Sequence, residues 1–292
     1  MQRTAPGFRT DTAARLAELE RLRPEWRAWF RLLGEAERAL DDGGWRTPLG
    51  EAAPGDRFAG PADAPLLHGR ALKVNPEVAQ RLVRRLASTA AAGHLTDAAS
   101  LRGYRPSTAD AVALIAAAVR QDLAELAAQA DAAGVERGPL MSVAHLAALP
   151  LLQSCGRLLA DQVSRSWPHG YCPICAAWPI LAERRGLDRS RRLRCARCAA
   201  AWEVQWLYCI YCGEREHERL GSLVPEDGGE TLRVETCASC RGYLKSIATL
   251  QGIPPFELLL RDLETVEFDL VAVERGYGRP EESGFMLKVR LV

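Results

Sequence analysis

The chain has 292 residues, 48% of them hydrophobic and 26% charged, with a formal net charge of +1. That length suits one large domain or two ordinary ones, and the composition is that of a globular protein rather than a fibrous or disordered one. Net charge gives no support to a nucleic-acid or membrane-surface partner, no run of 18 apolar residues predicts a spanning helix, and residues 1–11, MQRTAPGFRTD, lack the apolar core of a secretory leader.

Residues 1–170 read as an α-helical domain. Leu16, Leu19, Leu22, Trp26, Trp29, Phe30 and Leu33 recur at helical spacing, and Pro24 should divide that run into two helices. The Trp26, Trp29 and Phe30 stripe reads as core. Residues 43–68 are rich in Gly and Pro and predict an irregular loop. Asn75, Pro76 and Glu77 mark a helix start, and Gly93 should stop that helix. Ser107 with Asp110 three residues on forms a variant capping box, opening a helix expected to run to about Gly134. An apolar segment, 139–166, should bend at Pro150. Cys155 within it reads as a small buried hydrophobe, and SWPHG, 166–170, as a hinge.

From Tyr171 onward the alanine-rich pattern gives way to cysteine pairs, aromatics and β-like runs. Residues 202–209 and 231–237 alternate as strands do, with a turn expected at 225–230. YLKSIATL, 243–250, fits a strand or a short helix. Residues 262–277 are apolar at helical spacing, although VEFDLVAV could pass for a strand. The tail, 278–292, reads as a loose strand. The fold class expected is therefore α+β: an α-helical N-terminal domain, 1–170, two rubredoxin-like or zinc-ribbon four-cysteine modules, 171–208 and 209–250, and a C-terminal segment, 251–292, packing on them.

Cysteine spacing carries the strongest chemical signal. Eight of the nine cysteines form four Cys-x-x-Cys pairs: Cys172 and Cys175, Cys195 and Cys198, Cys209 and Cys212, Cys237 and Cys240. The spacers within the two halves are 19 and 24 residues, which gives a weak internal repeat. A reducing cytoplasm argues against disulfides, so paired spacing points first to metal binding. A tetrahedral ion takes four thiolates, so four pairs make two closed sites with no position left for water or substrate. Sequential pairing would join the first pair to the second and the third to the fourth. The 10-residue gap between Cys198 and Cys209 also permits an inner and an outer site. A redox-active dithiol competes, but such a pair opens a helix after a strand, a pattern four copies in a strand-rich region do not follow. Spacing alone leaves zinc and iron open, with zinc the default. Only Cys212 is followed by glycine, at Gly213; Ala176, Ala199 and Arg241 take the other three places.

WPHGYCPICAAWP (167–179), LRCARCAAAWEVQWLYCIYCG (193–213), ETCASCRGYLKSI (235–247) and DLETVEFDLVAVERGYGR (262–279) together resemble the formate dehydrogenase accessory proteins of the FdhE type. The resemblance covers roughly residues 166–280. It implies a cytoplasmic, non-catalytic protein needed for active respiratory formate dehydrogenase, a molybdenum or tungsten enzyme exported folded. It implies binding of that enzyme's catalytic subunit, and rubredoxin-like iron sites, which moves the preferred metal from zinc to iron. The eight paired cysteines carry over as ligands. Ala176 departs from the glycine that the family commonly has there, and Tyr243, Leu244 and Lys245 match a family run without an assigned role.

His169 and His217 lie beside knuckles, but the thiolates already fill both sites. Arg184, Arg185, Arg189, Arg191, Arg192 and Arg194 cluster between the first two knuckles and are expected at a solvated hairpin tip. A docking surface for an acidic client is the next reading of that cluster, and phosphate contact a third. Two other functions stay open at this stage: a rubredoxin-like electron-transfer protein and a nucleic-acid-binding zinc-ribbon protein. No catalytic residue is proposed, no nucleic acid or membrane partner is expected, and the sequence leaves the oligomeric state unassigned.

Overall fold

The computed structural model describes residues 12–46, 48–49, 63–93, 95–226, 229 and 231–292. Residues 1–11, much of the loop expected at 43–68 and part of the turn expected at 225–230 lie outside the described residues.

Helix α1 (Thr12–Leu22) and helix α2 (Arg27–Ala39) flank a short 3-10 turn at Pro24–Trp26, the division that Pro24 predicts. Leu16, Leu19, Phe30 and Leu33 are buried together with Leu260, while Trp26 is only half-buried at the edge of that cluster. A two-residue strand, β1 (Ala71–Leu72), precedes helix α3 (Pro76–Ala92), whose first turn is closed by Asn75 accepting from the Val78 N–H at 3.0 Å. Ser107 and Asp110 close the predicted capping box at the start of helix α4 (Thr108–Arg120).

The helix expected to continue to Gly134 is two helices. Gln121 adopts a left-handed conformation, φ 59°, and Asp122 caps helix α5 (Leu123–Ala133) by accepting from the Glu125 N–H. The alanine pattern runs straight through this break, so only the Asp122 carboxylate, a competitor for backbone N–H groups, marks it. Helix α6 (Arg137–Leu159) contains Pro150 without interruption and packs against α2, α3, α4 and α5. Its 3-10 extension carries it to Gln162; by length and composition it could cross a membrane, yet 72% of its apolar window is buried inside the protein. Cys155 on this helix is fully buried.

The remaining chain builds one six-stranded sheet. Its strands are β2 (Leu181–Arg185), β3 (Ser190–Arg194), β4 (Ala201–Glu203), β5 (Leu220–Leu223), β6 (Leu232–Cys237) and β7 (Tyr243–Thr249), in the order β4-β3-β2-β7-β6-β5. The first half is an antiparallel meander, β2-β3-β4, and the second repeats it as β5-β6-β7. The halves meet where β2 pairs parallel with β7, Leu181 opposite Lys245 through Arg185 opposite Thr249. The first strand of one unit thus joins the third strand of the other, both units running in the same sense. A strand covered on both faces is buried at consecutive residues, and Leu181 to Arg184 and Tyr243 to Ile247 are. Ala182, Leu193, Trp202 and Leu244 join the core of the helical half, while Leu181 and Ile247 on the other face pack against Leu258. The strand expected at 202–209 is limited to β4, and YLKSIATL resolves as a strand.

Leu258 lies on helix α7 (Pro255–Glu264), followed by helix α8 (Val266–Glu274), so VEFDLVAV is helical. Helix α8 packs on β6 and β7, and α7 also touches α2. Strand β8 (Arg290–Leu291) pairs parallel with β1, and the Val74 N–H donates to the Val292 carbonyl at 2.9 Å.

Only part of the arginine cluster lies at a solvated hairpin tip: Arg189 is exposed in the β2–β3 turn, and the rest of the cluster is drawn inward. Arg184, Arg191 and Arg194 are buried. Arg194 and Arg185 both pair with Glu183, which is itself fully buried, and Arg191 pairs with Glu235 at 2.6 Å. Glu183 lies in the same hairpin as the arginines it pairs with, while Glu235 reaches Arg191 from β6, 44 residues away in sequence.

Candidate metal centres

All four Cys-x-x-Cys pairs fold into the same knuckle. In each, the first cysteine's N–H donates to the carbonyl five residues on: Cys172 to Ala177 at 2.8 Å, Cys195 to Ala200 at 3.0 Å, Cys209 to Glu214 at 2.9 Å and Cys237 to Gly242 at 3.0 Å. The residue after the second cysteine is left-handed in every case, with φ of 63° at Ala176, 62° at Ala199, 79° at Gly213 and 59° at Arg241. A left-handed non-glycine residue costs about 1–2 kcal/mol, so three of the four knuckles hold strained backbone that the surroundings must impose. Arg241 shows how: its guanidinium donates to the carbonyls of Gly276 and Arg275 and lies 4.1 Å over the Tyr277 ring.

Among the described residues two groups of four thiols converge: Cys172, Cys175, Cys195 and Cys198, and Cys209, Cys212, Cys237 and Cys240. This is the sequential pairing. Within each group every sulfur lies within 4.8 Å of the others. The short contacts are 3.4 Å for Cys172–Cys198, 3.5 Å for Cys175–Cys195, 3.6 Å for Cys209–Cys240 and 3.7 Å for Cys212–Cys237. A tetrahedral ion bound at ~2.3 Å sets sulfurs about 3.8 Å apart, so both groups fit such an ion. His169 is in neither group; it stacks on Tyr171 with ring centroids 4.6 Å apart. His217, in an exposed 3-10 turn, is in neither group.

Helix α6, helix α4 and a turn at Leu66–Leu67 seal the first group. All four of its cysteines are buried. Gly156 on α6 sits where an added Cβ would lie 1.9 Å from the Cys198 carbonyl oxygen, so only glycine allows the helix this close. The Leu66 and Leu67 N–H groups donate to the carbonyls of Pro173 and Ile174 at 2.8 and 3.0 Å, and Arg197 donates to the Ala118 carbonyl. Burial pushes the Cys172 and Cys198 thiols well up, while hydrogen bonds from Cys172, Cys195 and Cys198 draw Cys175 well down. The second group stands at the surface: Cys209 and Cys237 are buried, Cys212 and Cys240 exposed. Burial raises Cys209 and pushes Cys240 up to about 11. At Cys237 burial, the largest single influence, acts upward but is outweighed by the backbone N–H groups of Cys240 and Ser239 and by Cys212 and Cys209, so its pKa falls.

Sequence reasoning gave no role to Lys245, which is fully buried beside the second module. Its ammonium pairs with Asp262 at 2.7 Å and Asp269 at 2.6 Å, and Asp269 also accepts from Tyr243 at 2.9 Å and Arg279 at 2.8 Å. The signal was present: Asp262 and Asp269 are seven residues apart in a run with apolar residues at helical spacing, and Lys245 follows Tyr243 and Leu244 in a run that fits a strand.

No family model matches the chain. A "Protein FdhE homolog" from Stutzerimonas stutzeri is 35% identical over 111 residues, covering 37% of this chain and 35% of the relative. Another from Aquifex aeolicus is 27% identical over 133 residues, covering 42% and 45%. The resemblance is to the FdhE proteins. A crystal structure of the FdhE protein from Pseudomonas aeruginosa is 22% identical and superposes with a TM-score of 0.53 over 95% of this chain and 93% of that one. It speaks for a shared FdhE fold. The aligned part of this chain spans less than half the length of the two FdhE homologs, so the family likeness read from the cysteine motifs is borne out for that part.

Proposed function

We propose that this chain is a non-catalytic accessory protein of formate dehydrogenase maturation, which binds the enzyme's catalytic subunit in the cytoplasm before export. The supporting observation is a pair of closed four-thiol groups on a fold shared with an FdhE protein. In this reading the eight cysteines Cys172, Cys175, Cys195, Cys198, Cys209, Cys212, Cys237 and Cys240 hold two ions, iron preferred and zinc the alternative. Four thiolates leave no position for water or substrate, which fits a protein without hydrolytic chemistry. The helical unit, 1–170, carries the modules 171–208 and 209–250, with 251–292 tying the sheet to the helices.

The test is an anaerobic pull-down of tagged protein from its own host grown on formate, read by mass spectrometry. A formate dehydrogenase catalytic subunit should dominate the eluate; its absence there would sink the proposal. A rubredoxin-like electron carrier is the second reading, favoured by the exposure of Cys212 and Cys240. A reversible one-electron couple in the anaerobically purified protein is its requirement.

A further inference from the structure

Between β4 and the third knuckle the chain makes a short loop that displays apolar surface under restraint. Arg191, 5% exposed, donates through Nη1 to the Gln205 carbonyl at 2.9 Å and the Tyr208 carbonyl at 3.1 Å. Its own position is fixed by Glu235. The two residues between those pinned carbonyls point outward: Trp206 is 41% and Leu207 61% exposed. Leu207 has φ of 50°, a left-handed backbone that costs a branched, bulky residue free energy and is offset by little burial. A buried arginine therefore holds a strained loop in the one shape that presents a tryptophan and a leucine to solvent.

Grooves open on both sides of this loop. One, of about 390 Å³, lies between Trp206 and the face of the second module formed by Leu220, Ser222, Arg233 and Leu244. The other, of about 490 Å³, lies between Tyr208 and Arg165, Trp167 and Arg215. Their charges are unequal. Glu235 is engaged by Arg191, and Glu203 by Arg192 at 3.3 Å. Among the described residues no carboxylate lies within 4.0 Å of the Arg165 or Arg215 guanidinium, although Arg215 Nη1 donates to Gln205 Oε1 at 3.0 Å, and the Arg233 guanidinium reaches only Glu235, at 3.9 Å. Instead the Arg233 and Arg215 guanidiniums lie over the Trp206 and Tyr208 rings at 5.3 and 5.2 Å. A carboxylate placed in either groove would meet a cation already oriented by an aromatic face.

We infer that the Trp206–Leu207 loop and its two grooves form the docking surface for an extended segment of the client that carries acidic side chains beside an apolar one. The inference rests on the accessory function proposed above. Preorganised aromatic and arginine anchors at the centre of a patch are where binding energy concentrates, and the surplus of arginine selects the sign of the partner.

The experiment measures binding of the full-length, ion-loaded chain to the purified formate dehydrogenase catalytic subunit of its own host, at two salt concentrations. Trp206→Ala, Arg233→Glu and Leu207→Asn are compared with wild type; asparagine tolerates the left-handed backbone, so Leu207→Asn removes the side chain without moving the loop. Leu187→Ser, at a hairpin tip where Leu187 is 96% exposed, is the control. Ion content and thermal melting certify that each variant is folded. The expected result is a loss of about tenfold or more in Trp206→Ala and Leu207→Asn, a similar loss with a flattened salt dependence in Arg233→Glu, and none in Leu187→Ser. A photo-cross-linker at position 207 should then label an acidic, apolar segment of the subunit. Wild-type affinity in all three variants overturns the docking surface while leaving the accessory function standing. Labelling of a basic segment or of nucleic acid also overturns it. If wild type itself does not bind the subunit, the accessory function fails and the docking surface with it.

Discussion

The first four-cysteine module is built into the helical half, and the second stands on it. Their knuckles share the same backbone hydrogen bonds and the same left-handed residue after the second cysteine. What differs is the cover. Around the first, Gly156 and Arg197 bring helical backbone against the knuckles, Leu66 and Leu67 add a turn of the preceding loop, and all four cysteines are buried. Around the second, helices α7 and α8 pack on its strands rather than over its knuckles, and two of the four thiols are exposed. Identical local geometry can therefore serve different ends: an ion at the first position is part of the core, and an ion at the second is an accessible surface feature.

The sharpest way to break this contrast is to remove one ligand from each module. Cys175→Ser should cost more than about 5 kcal/mol, since ion binding at a buried four-thiolate site is folding free energy, and the protein should lose its cooperative melt. Cys240→Ser should lose one ion and keep the helical circular dichroism signal. Chelator challenge followed by native mass spectrometry should show a one-ion species before any ion-free chain. Simultaneous loss of both ions would erase the distinction.

Lys245→Met probes what holds α7 and α8 to the second module. It leaves Asp262 and Asp269 facing Arg279 without their second cation, and breaking a buried pair of this kind costs about 3–5 kcal/mol. Denaturant unfolding measures that loss, which should leave the first ion in place. Gly156→Ala acts on the other module: the new methyl must push α6 off the Cys198 carbonyl, at about 3 kcal/mol, the upper end of overpacking costs. Chelator release of the first ion should quicken in that variant, and unchanged release would show that α6 does not seal the site.

The last effect is a pH dependence set by His145 of α6, beside the first module. Burial, with Arg197 of the second knuckle nearby, lowers His145 from its ordinary 6.5 to about 4. The unfolded chain therefore takes up this proton at a higher pH than the native one. Stability from neutral His145 is complete above pH 6.5 and is lost as pH falls toward 4, by on the order of 3 kcal/mol. His145→Gln should flatten that part of the pH–stability curve; an unchanged slope would assign it to other groups.

The ligand groups were legible because Cys-x-x-Cys is a local signal: both halves of each knuckle lie within six residues. The same holds for the Asn75 and Ser107 caps, whose side chains reach backbone three residues on. Long-range features were not legible. The arginines at 184–194 look like a basic tip until Glu235 of β6 is placed against Arg191 by a sheet whose register no short window reveals. The break at Gln121 was hidden because alanine fits either side of it. Lys245 was visible as an oddity, but its meaning required two carboxylates from helices not yet placed.

The parallel joint between β2 and β7 has a consequence for synthesis. Leu181 leaves the ribosome 64 residues ahead of Lys245, its partner across the joint. During that interval β2 has β3 on one side and a bare edge on the other, a hydrogen-bonding template open to any passing strand. The first knuckles can gather their ion in this window, but the nascent chain stays exposed to mispairing until the second unit emerges and docks. Order of translation thus makes the surface module the one that closes the edge of the buried one.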